Sequence, residues 1–240
     1  MPDKHLSTQF DSELTSVSSQ VMELGGLVES QIRKAIYALQ HFNVEVAHEV
    51  TANEIRVNAM EIEIDRDLSS IIARRQPTAG DLRLLIAISK TTANLERVGD
   101  EAEKIARMVC SIIESGASRS LPAMELRYAA DLASGLLNKA LDAFARLDVN
   151  AALSILKEDD LIDKEFDGFV RKLITYMMED PRTISPSLDL LFLAKAIERI
   201  GDHAKNIAEF IIYVVKGEDV RHSSMDRIES VIKWELCLRF

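Results

Sequence analysis

Four pairs of acidic residues share one spacing, an acid, three intervening residues and an aspartate: Glu61/Asp65, Glu96/Asp100, Asp159/Asp163 and Glu198/Asp202. On an α-helix positions i and i+4 lie on one face, so each pair presents two carboxylates side by side. Such a pair repels itself by roughly 0.2–0.5 kcal/mol. One pair means little in an acidic chain, but four at matching places point to recruitment of positive charge. Their setting sharpens this. Glu61 interrupts the apolar series Val57, Ile64, Leu68, Ile71, and Asp159 falls between Ile155 and Ile162. A carboxylate turned toward a core is costly unless it is ion-paired or metal-bound. Where the helices carrying two pairs pack together, four carboxylates converge, and an all-oxygen donor set suits hard or borderline divalent and trivalent ions. Mg, Ca, Mn and Fe are all compatible, and a purified sample can carry Zn or Ni. The competing reading is structural: Arg66, Arg97, Lys164 and Arg199 are close enough in sequence to neutralise the same acids.

Other chemistry is thinly represented. Glu45-x-x-His48 has the spacing of a di-iron helix, but that architecture needs the motif on two helices, and here it stands once. His48 is therefore read as a surface residue. His203 follows Asp202 and points about 100° away from it on a helix, either supporting a ligand or serving as an ordinary bundle residue. No phosphate-cradling glycine loop, nucleophile elbow or Cys–His constellation is present, so the chain is read as a non-enzyme with no catalytic residues. The formal net charge of −10, without a basic cluster, excludes nucleic acid as a direct partner. Two cysteines, Cys110 and Cys237, allow one disulfide but no disulfide framework. The first residues carry no secretory pattern, and the longest apolar run, residues 210–215, is too short to span a bilayer. The chain is expected to be cytoplasmic, meeting membranes only through partners.

The elements that must hold these acids are helices. Among 240 residues there are only 9 glycines and 5 prolines, too few for the turns of a sandwich or barrel. Turn signals at 41–43, 76–80, 115–122, 148, 180–186 and 216–217 leave six segments of roughly 28 to 35 residues, each ~40–50 Å long if helical. Apolar residues recur in alternating steps of three and four: Phe10, Leu14, Val17, Val21, Leu24, Val28, Ile32, Ala35 and Leu39 in the first segment, and Leu85, Ile88, Thr92, Leu95, Gly99, Ala102, Ala106, Val109 and Ile113 in the third. Asn43 and Asp148 are expected to cap the second and fifth helices, and Ser185-Pro186 to open the sixth. The second half repeats the first. Glu96-Arg97-Val98-Gly99-Asp100 recurs as Glu198-Arg199-Ile200-Gly201-Asp202, and Ile64-Asp65-Arg66-Asp67-Leu68 as Ile162-Asp163-Lys164-Glu165-Phe166. The expected fold is all-α, two tandem three-helix bundles over 1–116 and 117–222, each with its own core, and a tail over 223–240 able to form a short amphipathic helix from Ile228, Val231, Ile232, Trp234, Leu236 and Leu238. Gly99 and Gly201 sit on the stripes inside helices, where glycine costs about 1 kcal/mol against alanine. That cost, incurred twice beside the acids, implies close approach of a neighbouring helix or a ligand shell.

The duplicated Glu-Arg-(Val/Ile)-Gly-Asp segments, followed by Glu103-Lys104-Ile105-Ala106 and Lys205-Asn206-Ile207-Ala208, resemble the PhoU family of phosphate-transport regulators. The resemblance covers residues 5 to 222 and includes all four acidic pairs and the stretch from Val215 to His222. It implies two PhoU-type bundles, often in a homodimer, with multinuclear metal binding at Glu61, Asp65, Glu96, Asp100, Asp159, Asp163, Glu198 and Asp202. It also implies a role as negative regulator of the phosphate-starvation (Pho) response. There the protein is an adaptor between the ATP-binding subunit of the phosphate-specific ABC transporter and the sensor histidine kinase, modulating phosphate uptake and homeostasis. The alternatives from other classes are a metal-binding or metal-dependent phosphoryl-transfer bundle, and a plain structural bundle with salt-bridged acids.

Overall fold

The computed structural model describes residues 8–116 and 122–233. Helices account for nearly all of them: α1 (Thr8–His41), α2 (Val44–Arg75), α3 (Ala79–Glu114), α4 (Leu126–Arg146), α5 (Val149–Glu179), α6 (Ile184–Lys216) and α7 (Met225–Lys233), with single 3₁₀ turns before α4 and α6. No strand occurs among the described residues. The helix starts follow local chemistry. Asn43 Oδ1 accepts from the Val46 amide at 2.9 Å, and Asp148 Oδ1 accepts from Asn150 and Ala151 at 3.0 Å, as expected of N-caps. The sixth helix begins differently from the expectation. Thr183 precedes it, and Ser185 and Pro186 lie within its first turn, which tolerates proline because those amides have no intrahelical partner. The fourth helix is also shorter, 21 residues, because the chain after Pro122 first makes a 3₁₀ turn. Gly217 closes α6 at φ +73°, a left-handed conformation suited to glycine, its amide donating to Tyr213 at 2.9 Å.

The expected stripes are the buried faces: every named residue of the first is buried, and all but Ile113 of the third. The helices form two triplets, α1–α3 and α4–α6, but they share one continuous core instead of keeping one each. α3 packs most extensively on α6, and α1 meets α4. The cause is a second buried stripe on α3, running Ala87, Thr91, Asn94, Val98, Glu101, Ile105, Ile112, mirrored on α6 by Leu193, Ala196, Ile200 and Ile207. Cross-contacts set the pairing as antiparallel: Glu101 with Arg199, Asn94 with His203 and Asn206, and Ser111 with Asp189. α2 and α5 are left on the flanks, each packed mainly within its own triplet. α1 and α4 approach closely, since a methyl added to Gly25 would lie 2.7 Å from Leu141 Cδ2.

Beyond Gly217 the chain returns to the body. Val220 is buried, and α7 lays Ile228, Val231 and Ile232 against α5 and α6, with Lys157 bridging to Glu229 at 2.6 Å. This is the amphipathic tail helix; Trp234, Leu236, Cys237 and Leu238 lie outside the described residues. Cys110 is half-buried on α3, which raises its thiol pKa.

One clamp ties α1 to the end of α2. Arg75 grips Glu13 bidentately at 2.8 and 2.9 Å, and Arg74 adds a bond at 3.2 Å. These bonds pull the Glu13 carboxyl from 4.5 down to about 2, the Arg75 hydrogen bond contributing most. Because the folded value is depressed, the clamp contributes fully above pH 4.5 and is lost as pH falls through about 2. We expect NMR titration to place Glu13 near that value and Arg75→Ala to return it toward the ordinary carboxylate range. An unchanged titration in the variant would remove the clamp from the account.

Candidate functional site

The antiparallel packing of α2 on α3 brings the two first-half pairs within electrostatic reach of each other. Glu61, Glu96 and Asp100 are half-buried, and Asp65 lies at the exposed end, accepting from Ser89 Oγ at 3.2 Å. Burial raises the pKa of Glu61, and Asp65 and then Asp100 add repulsion that Arg97 partly offsets. Burial likewise raises Glu96, with Asp100 and Glu61 next. These mutual influences show that the acids of the two helices sense one another. A fifth acid joins them. Glu54 is only 6% exposed, with Oε2 3.5 Å from Gln31 Nε2 and Oε1 without a hydrogen-bond partner. Its carboxyl is raised to about 7, by burial first and then by Asp100, Glu103 and Glu96.

In the second half α5 packs on α6 in the same way. Asp159 is the most buried of the eight predicted ligands, 1% exposed, and Asp163 is exposed. Glu198 and Asp202 are half-buried. Asp202 is raised to about 6, mainly by burial, then by Glu198, Asp159 and Asp163, and Asp163 is raised by burial, Asp159 and Glu198. Two lysines enter here that the motif reading missed. Lys205 Nζ bonds Asp159 Oδ2 at 2.8 Å, and Lys195 bonds Glu198 Oε1, leaving the buried Glu198 Oε2 unpartnered.

Both stripe glycines serve close approach. A methyl on Gly99 would stand 3.0 Å from Glu54 Oε2 and 3.2 Å from Val57; one on Gly201 would stand 2.7 Å from Ile162 Cδ1 and 3.3 Å from Asp159 Oδ1. The neighbouring helix, not a distant surface, fills the space a side chain would need.

The salt-bridge reading is realised only in part, and by other residues. Arg66 pairs with Glu63 and Asp67, Arg199 pairs with Glu101, and neither Arg97 nor Lys164 bonds any of the eight acids. Among the described residues no three His, Cys, Asp or Glu side chains meet as a ready-made metal-binding group. The acids are strung along adjacent turns of their helices. The donor chemistry still suits a hard cation: oxygen-only carboxylates, with buried oxygens at Glu54 and Glu198 that have no hydrogen bond. Glu54 was legible in principle. It continues the α2 stripe backward from Val57 in the same three-four steps. Glu45 and His48 are both exposed, as expected of a surface pair.

Between α3 and α6, where the repeats meet, lies an open basin of about 750 Å³ lined by Arg97 and Asp100 from one repeat, Arg199 and Asp202 from the other, and Glu209 and Arg221 beyond. His203 borders it and turns toward α3, with Nδ1 3.0 Å from Asn94 Oδ1, an acceptor; Asn206 donates to the same oxygen. Burial lowers the His203 pKa to about 4, so the ring is neutral at pH 7 and donates from Nδ1. His203 therefore serves the interface between repeats.

This duplicated arrangement matches known proteins along most of its length. A family model for the PhoU domain matches twice, over residues 21–109 and 126–211, one copy per triplet. The chain belongs to the PhoU family. It is 52% identical over 229 residues to the phosphate-specific transport system accessory protein PhoU homolog of a Burkholderia species, covering 95% of this chain and 97% of that one. It is 46% identical to the phosphate-specific transport system accessory protein PhoU of Escherichia coli K12, covering 96% and 95%. The crystal structure of PhoU from Pseudomonas aeruginosa superposes with a TM-score of 0.84 at 44% identity, over 87% of this chain and all of the other. The phosphate transport system regulatory protein PhoU from Streptococcus pneumoniae superposes at 0.81 with 28% identity, over 88% of this chain and 99% of that one. In PhoU terms, the two family copies are the two triplets, and the four acidic pairs lie within the matched segments.

Proposed function

We propose that this protein is a negative regulator of the phosphate-starvation response. It acts without catalytic chemistry, as a cytoplasmic homodimeric adaptor between the ATP-binding subunit of a phosphate-specific ABC transporter and the sensor histidine kinase of that response. What carries the reading is near-full-length similarity, in both repeats, to proteins named as accessory to phosphate-specific transport. A membrane role reached through partners agrees with the helices, none of which, among the described residues, is long and apolar enough to cross a bilayer. The eight motif carboxylates are proposed to hold divalent or trivalent cations, whose charge would offset the repulsion between α2 and α3 and between α5 and α6. The residues do the rest: the glycines admit the neighbouring helix, and α3 and α6, packed on each other, each carry one acidic pair of their cluster.

The test is alkaline phosphatase activity in phosphate-rich medium, in source cells lacking the gene and in cells with it restored. Activity rising at least several-fold without the protein and silenced on restoration is the expected result. Low activity in both would end the regulatory reading.

A further inference from the structure

The two carboxylate clusters share a motif but not a charge balance. In the first half none of Glu61, Asp65, Glu96 and Asp100 has a cation within ion-pair distance among the described residues, and two further acids lie near them, Glu54 on α2 and Glu103 on α3, the latter paired with Arg107. The repeat register puts Ala152 where the first half has Glu54, and Lys205 where it has Glu103. At these two positions the second half has no carboxylate and gains an ammonium, which sits 2.8 Å from the buried Asp159, while Arg107, the partner of Glu103 at 3.7 Å, is replaced in the register by Glu209. Lys195 occupies Glu198 as well, where the first half has Ala93.

Glu54 is the independent observation. A carboxyl 94% shielded from solvent, with one oxygen lacking any hydrogen bond, would ordinarily be replaced by an apolar residue in such a stripe, as Ala152 shows. It is directed at the Gly99 turn, where only the absence of a side chain admits it, and Asp100, Glu103 and Glu96 on α3 lie within electrostatic reach of it. A shielded carboxylate oxygen without a hydrogen bond is a donor of the type that suits a hard cation.

We propose that the two clusters are inequivalent: the first, completed by Glu54, is the tight divalent-cation site, and in the second the Lys205 ammonium stands in for a cation at Asp159. The inference rests on the metal reading above. It makes the N-terminal repeat the one whose α2–α3 packing follows metal supply, while α5 stays held to α6 in metal-free protein.

The experiment is Mn²⁺ binding to the full chain at pH 7.5, with free Mn²⁺ read by electron paramagnetic resonance. Wild-type protein is expected to show one tight class, lost in Asp100→Asn and kept in Asp202→Asn. Glu54→Gln, nearly isosteric and able to keep its contact with Gln31, is expected to weaken that class about tenfold or more. The double variant Ala152→Glu/Lys205→Glu is expected to add a second tight class, with circular dichroism confirming its helicity. Equal classes in wild type, unmoved by Glu54→Gln, or a tight class lost only in Asp202→Asn, would overturn the inequivalence and leave the metal reading standing. No Mn²⁺ bound at all would overturn both.

Discussion

Lys205→Met, studied free of metal in chelator at pH 7.5, is expected to lower stability by about 3 kcal/mol. The substitution keeps the aliphatic stem and removes only the ammonium that meets Asp159 Oδ2 at 2.8 Å. Asp159 is then a carboxylate 1% exposed, with two further acids, Asp163 and Asp202, acting on the same site. Breaking one side of a buried ion pair typically costs 3–5 kcal/mol, because the remaining charge must be held in a poor solvent. We take the low end because the Lys205 side chain is 38% exposed and water screens that end of the pair. For a chain of this size the fall in Tm is roughly 6–12 °C. Asp159→Asn combined with Lys205→Met should recover most of it, since neither member then carries a buried charge. Equal melting of Lys205→Met and wild type would mean that the pair contributes nothing and Asp159 is solvated by other means.

Gly201→Val is expected to cost about 2–3 kcal/mol, whereas Gly201→Ala stays near neutral. Alanine gains about 1 kcal/mol of helix propensity, and its methyl, 2.7 Å from Ile162 Cδ1, needs only the tip of that side chain to shift. Valine adds two branches in the same confined space. Ile162 is 2% exposed, and a shift of its tip that admits one methyl does not admit three carbons, so α5 must move from α6. That movement also lengthens the Lys205–Asp159 contact, so the effects of Gly201→Val and Lys205→Met should add to less than their sum, coupled by roughly 0.5 kcal/mol or more, on the order expected for contacting residues. Thermal unfolding of the four proteins of the cycle measures this. Full additivity would show that the glycine and the ion pair act independently.

Much of this molecule is legible in the order of its residues. The three-four periodicity determined six long helices because a helix in water must bury one stripe, and the stripe is written in residue types. The duplicated Glu-Arg-x-Gly-Asp determined a doubled unit, and the i, i+4 acids determined which faces carry charge. The glycines on the stripes implied close approach of a helix or a ligand shell, and the distances at Gly99 and Gly201 show that side chains of the neighbouring helix make it.

What the tertiary structure alone decided is how the halves meet and how the charges are balanced. The second stripe of α3 carries Asn94 and Glu101 among its apolar members, and its α6 counterpart carries His203. Read locally, these look like solvated positions; they are buried or half-buried because each finds its partner on the other repeat, Asn94 with His203 and Glu101 with Arg199. The same holds for the acids. Equal motifs predicted equal clusters, but Lys205 reaches Asp159 across 46 positions and Glu54 reaches the Gly99 turn across 45, on neighbouring helices in both cases. Periodicity reports which side of a helix is buried, because that depends on the residue's own helix. It does not report which charge lies opposite, because that depends on the register between two helices, and only packing sets the register.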